Sequence, residues 1–211
     1  MKIELKSIKT YPALSEETTA YSATVYIDGK RAFAAKNDGR GGSDSFSPFK
    51  ASGYKLIQEA EEYAATLPDK VFPPNPDIEG DEEYVTEMDL DLLIGEIISK
   101  FDHEKHLKSK AVSIYKKVIF IEQGELRSFK SAYREEMDLE GFKKALPSDG
   151  AILLSGLSKE LVMDIIKQLV DGEGDREDHI DTALELLEKA GVKPEAANKA
   201  MGISPGNMMK P

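Results

Sequence analysis

Tyr21-Ser22-Ala23-Thr24-Val25-Tyr26-Ile27-Asp28-Gly29-Lys30-Arg31 is the stretch that decides the fold. Tyr21, Ala23, Val25 and Ile27 fall on one face, with Ser22, Thr24 and Tyr26 on the other. A period of two fits a strand with one covered and one wet face. Asp28-Gly29 follows, and that pair suits the positive φ values of a type I′ turn. The chain is then predicted to return over Arg31 to Lys36 as a partner strand. Upstream, Ile3, Leu5 and Ile8 alternate with Lys2, Glu4 and Lys6 with one slip, a further strand over 2–9.

Downstream of the hairpin lies the loop Asn37-Asp38-Gly39-Arg40-Gly41-Gly42-Ser43-Asp44, and then a predicted helix from Pro48 to Leu67. Phe72-Pro73-Pro74-Asn75-Pro76-Asp77 cannot continue that helix, because proline blocks its own position and the one before it. Thr86 is expected to cap a second helix, in which Leu90, Leu93, Ile94, Ile97, Ile98 and Phe101 form an unbroken helical stripe. Lys116 to Glu122 is apolar on both faces, which marks a central strand, and Gln123-Gly124 turns it into a second hairpin over Leu126–Lys130. A short helix over Asp138–Leu146, a buried strand at Ala151–Leu154 and a helix capped by Ser158 follow. In the tail, Asp178 is expected to cap one helix closed by Gly191, and Pro194 opens another stopped by Gly202. Ser204 to Pro211 reads as a frayed end.

The predicted class is therefore α+β: an N-terminal β-hairpin plus helix, a small mixed or antiparallel sheet with helices, and a helical C-terminal tail. The predicted organisation is a hairpin, Gly-rich loop and helix unit over 1–67, a Pro-rich acidic linker or long loop over 68–86, an α+β unit over 87–172, and a separate helical hairpin over 173–211.

Charge narrows the function. The chain has 211 residues with 28 Lys+Arg against 39 Asp+Glu, a net charge of −11 and a pI near 4.9. The negative charge is local. Nine acids and no base lie between Val71 and Ser99, and eight acids with only Arg176 lie between Asp171 and Glu188. These stretches carry −16, so the rest of the chain is +5. Such a balance argues against duplex DNA as a partner. No apolar run reaches the roughly 18 residues of a membrane span, and Met1-Lys2-Ile3-Glu4 does not open a secretory signal. The absence of cysteine excludes disulfides and thiolate chemistry and fits the cytoplasm.

The loop of Asn37, Asp38, Gly39, Arg40, Gly41, Gly42, Ser43 and Asp44 is the candidate ligand-binding site. Its glycines allow several backbone N–H groups to point one way, and Arg40 adds a cation, so it reads either as a nest for a phosphate or carboxylate or as a tight turn permitting positive φ. Gly39-Arg40-Gly41-Gly42 matches neither the dinucleotide fingerprint nor the P-loop. Asp102-His103-Glu104-Lys105-His106 has its histidines three apart rather than four, so a polar helix end is preferred to a metal site. The lysines between Ser99 and Lys117 invite single-strand nucleic acid only if stacking rings lie on a sheet beside them, for which Tyr115, Phe120 and Phe129 are available. The tail looks like a helix-turn-helix that stops before its recognition helix, and a packing or docking hairpin is preferred. No Gly-x-Ser-x-Gly, no cysteine and only three histidines leave no catalytic residue or cofactor motif to name.

Thr19-Ala20-Tyr21-Ser22-Ala23-Thr24-Val25-Tyr26-Ile27-Asp28-Gly29-Lys30, followed by Asn37-Asp38-Gly39-Arg40-Gly41-Gly42, resembles a set of small bacteriophage and prophage proteins. Those pair a strand–Asp/Asn-Gly-Lys–strand hairpin with an Asn-Asp/Glu-Gly-x-Gly-Gly loop. They also carry a later hairpin like Lys117-Val118-Ile119-Phe120 with Leu126-Arg127-Ser128-Phe129. The likeness is specific over 19–50, loose to 155 and absent beyond Ser158. It implies a phage setting and no established activity. Two functions follow: a non-catalytic phage accessory protein, of a host-interaction or anti-defence type, that binds a host or phage macromolecule, a protein by preference, through its acidic and loop surfaces; and a sensor, sponge or enzyme that takes a phosphate-bearing nucleotide on the Asn37–Asp44 loop.

Overall fold

The computed structural model describes residues 1–74, 82–172 and 174–203. The acids Asp77, Glu79, Asp81 and Glu173 and the expected frayed end over 204–211 lie outside them. The fold is α+β, with six helices among the described residues and antiparallel sheets. The chain forms two compact units, Met1–Asp102 and His103–Pro211. That division falls inside a helix, whereas the sequence suggests divisions at 67, 86 and 172.

In the first unit β1 (Ile3–Thr10), β2 (Tyr21–Ile27), β3 (Lys30–Asn37) and β4 (Ser45–Pro48) form a sheet in chain order. The β2–β3 turn has φ of 48° at Asp28 and 78° at Gly29, as a type I′ turn requires. The slip in β1 is a bulge between Lys6 and Lys9, with Ser7 at a φ of 54°. The covered face buries Tyr21, Ala23, Val25, Ile27 and Phe33 against Ala60 and Ala64 of α1 (Gly53–Ala64) and Leu90, Ile94 and Ile98 of α2 (Leu90–Tyr115).

The first helix starts at Gly53 rather than Pro48, because Ser45–Pro48 pairs with β3 and Phe46 packs edge-on against Phe33, with centroids 5.6 Å apart. The second helix is capped by Asp89, whose carboxylate accepts the Leu92 N–H at 2.7 Å; Thr86 lies in a strand instead. That helix does not stop at Phe101, since nothing from Ile97 to Tyr115 breaks it. The flanks of the expected linker pair as β5 (Lys70–Phe72) and β6 (Tyr84–Thr86), with Phe72 stacked on Tyr84.

In the second unit β7 (Lys117–Glu122) is central between β8 (Glu125–Ala132) and β9 (Ile152–Leu153). Val118, Ile119, Phe120 and Ile121 are all buried, so both faces are covered, as the unbroken apolar run predicts. Val118 and Phe120 face a cluster that includes Phe129 and, from α3 (Glu140–Lys144), Phe142. Ile119 and Ile121 face Val162, Ile165 and Ile166 of α4 (Lys159–Val170). Ala183 and Leu187 of α5 (Arg176–Lys189) and Ala197 and Ala200 of α6 (Pro194–Ala200) join that same core. The tail is thus built into the second core instead of standing apart. The α5 cap is Asp175 rather than Asp178, its carboxylate accepting the Glu177 N–H at 2.8 Å. Ser158 does occupy the capping position of α4, but its hydroxyl caps nothing.

Candidate functional site

The Asn37–Asp44 loop leaves the end of β3 and enters β4, and Asn37 organises it. Its amide oxygen accepts the Thr18 hydroxyl at 2.8 Å and the Gly39 N–H at 2.8 Å. Its amide nitrogen donates to the Gly42 carbonyl at 2.8 Å and to the Asp44 carboxylate at 3.0 Å. All four hydrogen-bonding positions of that side chain are thus used, three within the loop and one on Thr18.

A second segment closes over this one. Residues 11–20, which include a 3-10 turn at Pro12–Leu14, bridge β1 to β2. The Gly39 carbonyl accepts the N–H groups of Glu16 at 2.8 Å and Glu17 at 3.1 Å, and the Thr18 hydroxyl accepts the Gly41 N–H at 3.3 Å. Gly39 is obligatory here. Its φ is 85°, and a Cβ at this position stands 2.4 Å from the Leu14 carbonyl oxygen and 2.9 Å from the Ala20 Cβ.

Beneath the loop, the Tyr21 hydroxyl donates to Asp44, and the Asp44 N–H donates to the Asp91 carboxylate at 2.9 Å. Burial pushes the Asp44 carboxyl above the usual carboxylate range, and the charges of Asp91 and Asp89 add to the rise. The hydrogen bonds from Tyr21 and Asn37 act the other way but do not overcome it. Burial, then the hydrogen bond and charge of Asp44, hold the Tyr21 phenol far above its ordinary range.

The eight candidate residues are therefore brought together in one hydrogen-bonded loop. The N–H groups of Gly39 and Gly41 are used internally. Asp44 faces Tyr21 and Asp91, and Glu16, Glu17 and Asp38 add exposed negative charge at the rim. Strand β4 separates the loop from α1, so no helix start supports it. Arg40, Gly41, Gly42 and Ser43 are exposed. Beside the loop lies a cleft of about 530 Å³ whose walls include Tyr11, Leu14, Ser22, Asn37 and Arg40. Leu14 is 59% exposed and Tyr11 40%, high for large apolar side chains held on a structured segment.

Sequence reasoning missed Tyr11, Leu14, Glu16, Glu17, Thr18 and Asp91 as parts of this site. The available signal was the polar run Ser15–Thr19, too long for a tight turn between two pairing strands.

The other candidates separate from one another. His103 lies 2.9 Å from Asp171, His106 is exposed, and His179 lies 2.9 Å from Gln168. Among the described residues no group of three or more His, Asp or Glu is placed to hold a metal. The α2 lysines are exposed, but Phe120 and Phe129 pack in the core with Phe142, and Tyr115 packs on Tyr133, so no stacking surface accompanies them. In the second unit the Gly124 N–H bonds the Ala200 carbonyl at 2.8 Å, tying α6 to the β7–β8 turn. No helix among the described residues is long and apolar enough to cross a membrane. No family model matches the chain, and neither curated proteins nor solved structures give a match.

Proposed function

We propose that this chain is a non-catalytic binding protein of the cytoplasm that recognises a host or phage protein with the interlocked segments 11–20 and 37–44. One observation carries this reading: the Gly39 carbonyl clamps the N–H groups of Glu16 and Glu17. With the N–H groups of Gly39, Gly41 and Asp44 bonded internally, the loop offers exposed side chains more than a backbone cradle. Tyr11, Leu14 and Arg40 are what it offers, and tyrosine and arginine dominate the energetics of protein interfaces. A frame already held in place loses little entropy on binding. The phage setting rests on the likeness of the hairpin and loop.

The test is affinity capture with the tagged full chain from infected and uninfected bacterial lysate, followed by titration with the purified protein it identifies. Leu14→Asp combined with Arg40→Ala is expected to weaken that binding about 30-fold or more, the worth of one hot spot, with the melting temperature unchanged. Undiminished binding by the double variant contradicts the proposal.

A second reading keeps some support from the size of the cleft and from Lys36 and Arg40 on its walls: a phosphate-bearing nucleotide. Glu16 and Asp38 on the same walls oppose it. A nucleotide panel that raises the melting temperature of the wild type but not of Arg40→Ala favours this reading over the first.

A further inference from the structure

The face of the first sheet turned away from α1 and α2 is a second surface, which meets the loop cleft only at Ser22 and Lys36. Its composition follows from the strand register. Lys9 pairs with Ser22, Ser22 with Lys36 and Lys36 with Ser45. The next row runs Lys6, Thr24, Ala34, Ser47, and the third runs Glu4, Tyr26, Arg31. The three cross-strand rows thus place a ladder of hydroxyls, Ser22, Thr24 and Tyr26, beside Lys9, Lys6 and Glu4 on the β1 side and Lys36, Ala34 and Arg31 on the β3 side. Lys6, Lys9, Arg31, Lys36, Ser45 and Ser47 are exposed, and the central residues are half-buried.

The charge of this face runs against that of its unit. Residues 1–102 hold eleven basic and twenty acidic residues, so an even spread gives roughly two acids per cation. The three rows hold four cations and one acid, Glu4, and the Lys2 ammonium sits 2.9 Å from that carboxylate. At the margin the Lys36 ammonium lies 3.6 Å from Asp38. No leucine, isoleucine or valine lies in the rows, so the face is not built to be covered by an apolar helix or by its own copy. It is built for a polyanion.

We propose that this face binds single-stranded nucleic acid. Lysine and arginine neutralise phosphates, and serine, threonine and tyrosine hydroxyls donate to phosphate oxygens. Rings supply stacking that tolerates any base: Tyr26 lies in the face and Phe49 stands just past β4, 41% exposed. The Lys6 ammonium lies 4.3 Å from the Tyr26 ring centroid and the Arg31 guanidinium 3.7 Å from that of Phe49. Both long side chains are thereby held before a ligand arrives, which lowers the entropy lost on binding. An acidic peptide shares the electrostatics but makes less use of the hydroxyl ladder and rings. Duplex DNA does not fit, since a four-stranded face about 14 Å across is broader than a major groove of about 12 Å.

The experiment is fluorescence anisotropy of labelled twelve-nucleotide oligo-dT and oligo-U with the full chain across a salt series. Competitors are polyglutamate and a hairpin duplex of equal charge. Four phosphate contacts predict a slope of log affinity against log salt of about −2.8. Lys6→Glu with Arg31→Glu is expected to weaken binding more than tenfold, and Lys9→Gln with Lys36→Gln to flatten the slope by about half. Tyr26→Ala is expected to weaken binding without changing the slope. Leu14→Ala, which alters the loop cleft without altering its charge, is expected to leave both unchanged, so this proposal and the loop proposal fail separately. Unfolding curves show that each variant is folded. Absence of salt-sensitive binding, affinity indifferent to both charge variants, or displacement by polyglutamate or duplex as effective as by the unlabelled strand overturns the proposal.

Discussion

Strands β2 and β7 hold equivalent places, each inside a sheet and each leading into a two-residue turn, yet they differ in every second residue. In β2 the residues between the buried ones are Ser22, Thr24 and Tyr26, half-buried and polar. In β7 four consecutive apolar residues are buried, two against each neighbouring cluster. A strand covered on both faces can only be scaffold. A strand covered on one leaves a regular surface for chemistry, and the first unit adds the loop clamp at the end of that same sheet. Under the proposed function, the difference leaves recognition to the first unit and separates substitutions that break the fold from those that alter binding.

The largest effect is expected in β7. Ile119→Ala removes a fully buried side chain packed on α4 and costs about 2–5 kcal/mol, measured by urea unfolding of the full chain. A cost below about 1 kcal/mol contradicts the account of β7 as doubly covered. Gly39→Ala comes next. It forces a Cβ onto the Leu14 carbonyl oxygen at a positive φ, at about 2–3 kcal/mol, and releases the 11–20 segment. Limited proteolysis of that variant is expected to cut within 11–20, where the wild type resists.

Tyr21→Phe is smaller, about 1–2 kcal/mol for the hydrogen bond to Asp44. Its pH dependence is distinctive. Burial raises the Asp44 pKa in the folded protein, so its contribution is complete below the unfolded carboxylate value of 3.8 and is lost as pH rises through the folded value. Asp44→Asn is therefore expected to remove part of the stability decline above pH 3.8, seen as a stability difference from wild type that changes with pH. A pH-independent difference contradicts the raised carboxyl. Smallest of all is Thr24→Val on the open face, within about 0.5 kcal/mol. A cost as large as that of Ile119→Ala means the open face is covered.

Much of this contrast was legible in the sequence. Alternation in Tyr21–Ile27 and its absence in Val118–Ile121 give the two strand types, and Asp28-Gly29 and Gln123-Gly124 give both hairpins. Strand β4 was not legible, because Ser45-Phe46-Ser47-Pro48 is short, ends in proline and gains its strand state only from pairing with β3. The continuation of α2 past Phe101 was obscured by its own polarity, since the apolar stripe gives way to Lys and His while the backbone stays helical. The loop was legible as unusual but not in its role. What fixes its conformation is the clamp from Glu16 and Glu17, more than twenty residues upstream of Gly39 and invisible to spacing. Individual charges were counted, but their segregation onto one sheet face appears only once the register is known.

The most direct test is amide hydrogen exchange at Gly39 and Gly41 in the full-length protein, read residue by residue by NMR. The account predicts that both N–H groups, held by Asn37 and Thr18, exchange at least about tenfold more slowly than in an unstructured peptide. Exchange of both at unprotected rates means that the loop is not clamped and its N–H groups are available to an anion. That result contradicts the protein-binding account and restores the phosphate cradle.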